Sequence, residues 1–216
     1  MRVLAIETAS EACSVALFEG SDCIAHDHQV LGRGHAEALV PMIAALPDKG
    51  RADRILVSLG PGSFTGVRIG IAAARALGFA WGAEVLGYPT LALVAMHGKQ
   101  PEPSAVTVCM HGGHGEWFVQ NFSASGNPQS DARSLRPDQI ATKDVHPILV
   151  GNRAKECSEL FREERVVLDM LPDARKAHLL HETRLTRDPT PMYGRAPDAV
   201  PQNRKQNPSP QGEAKT

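Results

Sequence analysis

The chain opens on a short apolar run, Val3-Leu4-Ala5-Ile6, with the length and composition of a buried strand. β-favouring residues fill 12–19, and 23–30 gives a third, more polar strand after the hairpin turn Gly20-Ser21-Asp22. A helix is predicted over 35–46, a buried strand over 54–59 and a second helix over 66–81. A short strand at 84–86 and a helix at 90–97 complete this half, so the order is strand-strand-strand-helix-strand-helix. That order predicts an α/β fold. The second half is patterned more weakly. It reads as strands at 104–110 and 116–122, joined by His111-Gly112-Gly113-His114-Gly115, then a strand at 146–150 and a helix at 153–162. A last strand at 166–168 and a last helix at 173–182 follow. No internal repeat stands out. The predicted division is a first lobe at 1–98, a smaller one at 99–187, and a Pro-rich extended segment and tail at 188–216. Proline among Gln, Asn and Ser leaves the last residues, about 15 of them, too little apolar surface to order.

Both helices of the first half carry more packing surface than one small lobe needs. The run His35 to Leu46 is polar only at its start, and Pro41 inside it predicts a kink or a later helix start. In the second helix Gly66, Gly70, Ala74, Gly78 and Gly82 recur every fourth residue. Each glycine costs the helix about 1 kcal/mol against alanine. Two explanations stay open: tight packing on the chain's own sheet, or close approach of another helix, inside the chain or between chains. The surplus apolar surface argues for a partner.

The segment Leu59-Gly60-Pro61-Gly62-Ser63-Phe64-Thr65-Gly66-Val67-Arg68 resembles a phosphate loop and fails its test. Val67-Arg68 follows the last glycine where Lys-Ser or Lys-Thr is needed, and three residues, not two, separate Gly62 from Gly66. The helix N-terminus still favours an anion, which makes Gly60, Gly62 and Ser63 candidate anion or nucleotide contacts. A net charge of −1 and a pI near 6.8 give no field-driven reason for nucleic-acid or membrane binding. Cys13, Cys23, Cys109 and Cys157 are scattered and read as reduced thiols. The early Glu7 argues against a signal peptide, and Arg75 interrupts the longest apolar stretch, 69–81, so no membrane span is expected. Cys109, His111 and His114 read as a solvated hairpin tip before a metal cluster, and His26 and His28 as surface residues; no metal site is expected. Arg68 and Arg75, seven apart, share a helix face that meets partner carboxylates or solvent. No nucleophile triad can be ordered, and Gly62-Ser63-Phe64 does not fit a nucleophile elbow.

Taken together, these residues resemble the TsaB family, formerly called YeaZ. The resemblance rests on Leu4-Ala5-Ile6-Glu7-Thr8-Ala9 with Glu11 to Leu17, on His35-Ala36-Glu37 with Leu39 and Pro41, and on Gly60 to Gly70. Val150-Gly151-Asn152 with Ala154, and Pro191-Met192-Tyr193 with Arg195 and Pro197-Asp198-Ala199, add to it. It implies the actin/hexokinase/Hsp70-like (ASKHA) architecture, two lobes of βββαβα type with the second reduced. It also implies a cytoplasmic, non-catalytic scaffold that activates the tRNA N6-threonylcarbamoyladenosine transferase TsaD. TsaD carries a His-x-x-x-His metal site after its second helix; Thr90 and Val94 stand at the matching positions here. Neither can replace imidazole on a transition metal. The family pairs with TsaD through the two first-lobe helices, is joined by TsaE, pairs with itself when alone, and meets tRNA only through the complex. The implied interface residues are His35, Ala36, Leu39, Ile43, Gly66, Arg68, Gly70, Ala74, Leu77 and Gly78. No cofactor is expected beyond weak ATP or ADP binding. The chain departs from the pattern at Glu7-Thr8-Ala9, where ATP-using relatives have Asp-x-Gly, and at the His111–His114 turn. The rival reading is a small kinase-like enzyme of the same superfamily binding ATP between the lobes.

Overall fold

The computed structural model describes residues 1–97 and 103–194. The expected lobe boundary at 98/99, the motif residues from Arg195 to Ala199 and the expected tail lie outside the described residues.

The first sheet is built from β1 (Arg2–Glu7), β2 (Ala12–Glu19), β3 (Asp22–Val30), β4 (Arg54–Ser58) and β5 (Glu84–Tyr88), in the order β3-β2-β1-β4-β5. β1 pairs antiparallel with β2 and parallel with β4, which places it at the centre. Its alternation divides two cores. Leu4 and Ile6 join Val15, Leu17, Val57 and the helices α1 (His35–Ala45) and α2 (Phe64–Trp81) on one face. Val3 and Ala5 join Ala16, Phe18, Tyr88 and α3 (Thr90–His97) on the other. A sheet covered on both faces explains why β1 and β2 read as continuous apolar runs. β3, at the edge, stays mostly exposed, as its polar composition predicts.

The second sheet contains β6 (Val106–Gly113), β7 (Glu116–Phe122), β8 (Arg133–Leu135), β9 (Ile148–Val150) and β10 (Val166–Leu168), in the order β10-β9-β6-β7-β8. Read from its other edge, it repeats the first sheet. From a central first strand, two successive antiparallel pairings run to one edge and two successive parallel pairings to the other. The duplication that the sequence hides is therefore plain in the topology: two βββαβα-type lobes of the ASKHA fold, the second shortened.

Most differences from the expected elements lie in the second lobe. The helix expected at 153–162 contracts to α5 (Ala154–Ser158), and the chain beyond it packs Leu160 and Phe161 on the second-lobe core without continuing the helix. The helix expected at 173–182 is two 3₁₀ turns, Ala174–Leu179 and Glu182–Arg184. β8 and the single turn α4 (Pro137–Ile140) were not anticipated. β8 is three residues long and exists only by pairing with the edge of β7. Pro41 does not delay α1, which runs from His35 through it; the left-handed Gly34 (φ 96°) caps the start.

Candidate functional site

Two surfaces remain as candidates once the cores are assigned: the outer face of α1 and α2, and the cleft between the lobes.

On α2 two stripes repeat every four residues. Gly66, Gly70, Ala74 and Gly78 form one; Phe64, Arg68, Ala72, Ala76 and Ala80 form the other. They are offset by two residues, about 200° around the helix, so they face opposite ways. The glycine stripe faces the chain's own sheet. A Cβ on Gly66 would collide with the Thr8 carbonyl, one on Gly70 with the Thr8 hydroxyl, and one on Gly78 with Val85. Ala74 is fully buried. Of the two explanations left open for the bare stripe, tight packing on the chain's own sheet is the one the structure shows, and the stripe is not where a second helix docks. Leu39 and Ile43 are likewise core residues of α1, and His35 is buried with its Nε2 donating to the Ala12 carbonyl at 3.2 Å. Six implied interface residues, Leu39, Ile43, Gly66, Gly70, Ala74 and Gly78, together with His35, are thus inside the lobe. They have no surface to offer because the sheet has already taken it.

Of the expected set, Ala36 and Arg68 are exposed and Leu77 is half-buried. The residues that the sequence reading missed complete the outer face: Val40 and Ala44 with Ala36 on α1, and Ala72, Ala76, Phe79 and Ala80 on α2. The two helices are in contact with each other, and each carries these exposed positions on the side turned away from its buried stripe. Phe79 projects from α2 94 % exposed. The signal was present in the second four-residue repeat, and in a phenylalanine that the buried stripe has no place for.

The cleft is a cavity of about 870 Å³ walled by both lobes and by residues 192–194. Ser63 caps α2 by accepting from the Gly66 N–H at 3.1 Å, and Gly62 and Ser63 line the cavity. Gly60 has a backbone reason of its own: φ is +89°, and a Cβ would press on the Met192 carbonyl. A Cβ on Gly62 would strike the Ala9 carbonyl. Thr90, which begins α3, is buried, lines the cavity, and has a hydroxyl without a hydrogen-bond partner. At the rim the Arg68 guanidinium lies 3.3 Å over the Phe64 ring and donates to the Tyr193 hydroxyl at 2.7 Å. Arg75 donates to the Pro189 carbonyl at 3.1 Å, so both arginines meet the returning C-terminal segment. Asn152 bridges the lobes, donating to Glu11 at 3.1 Å and accepting from the His111 N–H at 2.9 Å. His111 and His114 line the cavity and are exposed. Among the described residues no three His, Cys, Asp or Glu side chains cluster as a metal ion needs.

Glu7 does not reach the cleft. It is fully buried, accepting from the Ala9 N–H at 2.7 Å and from the Tyr88 hydroxyl at 3.3 Å. Burial pushes its carboxyl up to about 7 against the pull of those donors. The first-loop acid of this chain is thus a core group. Thr90 and Val94 are both buried.

A family profile described as TsaD, tRNA N6-adenosine threonylcarbamoyltransferase, matches residues 29–150, more than half of the chain. The tRNA threonylcarbamoyladenosine biosynthesis protein TsaB of Escherichia coli is 43% identical over 102 residues, 44% of this chain and 43% of that protein. The chain belongs to the TsaB (YeaZ) branch of that family. TsaB of Haemophilus influenzae is 38% identical over 101 residues, covering 44% of this chain and 42% of the relative. The matched stretch spans less than half the length of these curated relatives. The solved structure of YeaZ from Pseudomonas aeruginosa superimposes over 89% of this chain and 99% of its own, with a TM-score of 0.73 at 25% identity. The TsaB-like architecture therefore extends through both lobes. No helix among the described residues is long and apolar enough to cross a membrane.

Proposed function

We propose that this chain is a non-catalytic subunit of the machinery that makes threonylcarbamoyladenosine in tRNA, acting in the cytoplasm by docking a TsaD-type catalytic partner on the outer face of α1 and α2. One observation carries the reading: two adjacent helices present small side chains at four-residue spacing, Ala36, Val40, Ala44 and Ala72, Ala76, Ala80, beside an almost fully exposed Phe79. Small residues let helices approach closely, and a projecting aromatic supplies an anchor for a pocket on the partner. Thr90 and Val94 at the positions of the catalytic paralogue's histidines support a non-catalytic role. The names of the TsaB relatives support the pathway. Partner binding would favour the TsaD conformation competent for transfer, with TsaE joining the pair and tRNA met through the complex. The same face would pair two copies when the partner is absent.

The test is light scattering on a sizing column, with the chain alone and mixed with a TsaD-type protein of the same source. A stoichiometric heterodimer that displaces a homodimer is expected. A persistent monomer in both runs rejects the reading.

The cleft favours a second, compatible role: weak binding of an anion or of ATP or ADP without turnover. Its supports are the free Thr90 hydroxyl, Ser63 at the start of α2, and Arg68 at the rim. Calorimetry with ATP and ADP checks it. Turnover of ATP would instead favour the kinase-like alternative.

A further inference from the structure

The second lobe holds a pair of thiols that neither the helical face nor the cleft uses. Cys109 in β6 and Cys157 in α5 are separated by 48 residues, yet their sulfurs lie 3.3 Å apart. Both are buried in a cluster with Val119, Ile140 and Leu149, and both are free thiols. Arg153 ties the two backbones together: its N–H donates to the Cys109 carbonyl at 3.1 Å, and its carbonyl accepts from the Cys157 N–H at 2.9 Å. The two sulfurs are not equivalent. The Cys109 thiol donates to the Cys157 sulfur and the Arg165 guanidinium attracts it, which holds the Cys157 thiol below its ordinary range. The same hydrogen bond and burial push Cys109 well above. Arg165 has a buried Nε with no hydrogen-bond partner. Such asymmetry separates an attacking from a resolving cysteine.

We propose that Cys109 and Cys157 are a modification site, which two-electron oxidants of the peroxide class convert to an intrachain disulfide. The sulfurs must close by roughly 1.3 Å to reach bonding distance. Local opening of α5, a five-residue helix, admits the oxidant. The Cys157 thiolate attacks one oxygen of hydrogen peroxide and the O–O bond breaks. Cys157 becomes a sulfenic acid, and the other oxygen leaves as water after taking up a proton. The Cys109 sulfur then attacks the Cys157 sulfur, the S–O bond breaks, and the Cys109 proton leaves with the hydroxyl as a second water. Two electrons pass from the thiols to the peroxide. The other cysteines behave differently. Cys13 is buried with its thiol pushed up to about 11, and Cys23 is exposed and far along the chain from both, so it is removed in the test. The bond fastens α5 to β6 beside the turn that presents Asn152 to Glu11.

The test uses the full chain carrying Cys23→Ser, titrated with hydrogen peroxide, then denatured, alkylated and mapped by mass spectrometry. Expected are the loss of two alkylatable thiols, a chain two hydrogens lighter before alkylation, and a peptide pair joining Cys109 to Cys157 that dithiothreitol releases. Thiols that all stay alkylatable, or conversion of one cysteine to sulfinic acid without a link, overturn the proposal. A dimedone adduct on Cys157 in Cys109→Ser is expected as well; its absence overturns Cys157 as the attacking sulfur. The mapping on Cys23→Ser decides the linkage even where Cys109→Ser folds poorly.

Discussion

The Thr8 hydroxyl donates to the Gly66 carbonyl at 2.8 Å, and the Thr8 carbonyl fills the space that a Gly66 side chain would need. The end of β1 is thus locked onto the first turn of α2. Gly66→Ala gains about 1 kcal/mol of helix propensity but forces backbone against backbone. A net loss of about 1–3 kcal/mol is expected, as for other overpacked sites. Gly70→Ala meets a side-chain hydroxyl and costs less. Urea midpoints check the order; a midpoint that rises for Gly66→Ala rejects this packing.

Substitutions on the two stripes of α2 should part company. Phe79→Asp and Ala76→Arg, on the exposed stripe, leave the melting temperature within a few degrees and abolish pairing on the sizing column. Ala74→Arg, on the buried stripe, unfolds the lobe, and so does Leu39→Asp in the core side of α1. If Phe79→Asp pairs as tightly as the unaltered chain, the docking face lies elsewhere.

Glu7 gives stability a pH dependence of a particular sign. Its folded value of about 7 lies above the ordinary 4.5, so the folded chain holds the proton more tightly than the unfolded one. Stability from this group is complete below the unfolded value and falls as pH rises from about 4.5 to about 7, by about 3 kcal/mol in all. Glu7→Gln keeps an acceptor for the Ala9 N–H and carries no charge. The stability of the unaltered chain relative to Glu7→Gln should therefore fall with pH across that window and level off above it. Denaturant melts at several pH values measure it, and a constant difference would exclude a buried, titrating Glu7.

Asn152→Ala removes both the donor to Glu11 and the acceptor of the His111 N–H. A loss of about 1–3 kcal/mol is expected, with faster hydrogen exchange at the His111 amide. Unchanged exchange there would mean that the bridge does not hold the lobes together.

β1, β2 and β4 are continuous apolar runs because the first sheet is covered on both faces, so their existence is legible without a structure. The second lobe hid its repeat because β8, β9 and β10 are three residues each and owe their form to neighbouring strands. Glu7 could be read as a first-loop acid, but only its packing against Tyr88 removes it from the cleft.

What the sequence determined by itself was the element order of the first lobe, the family resemblance and the presence of four-residue small stripes on α2, since these depend on local spacing. Which stripe meets the sheet was decided by Thr8 and Val85, contacts 58 and 7 residues from their glycines Gly66 and Gly78. Periodicity fixes how residues group around a helix, whereas the rotation of that helix against its sheet is set by long-range packing.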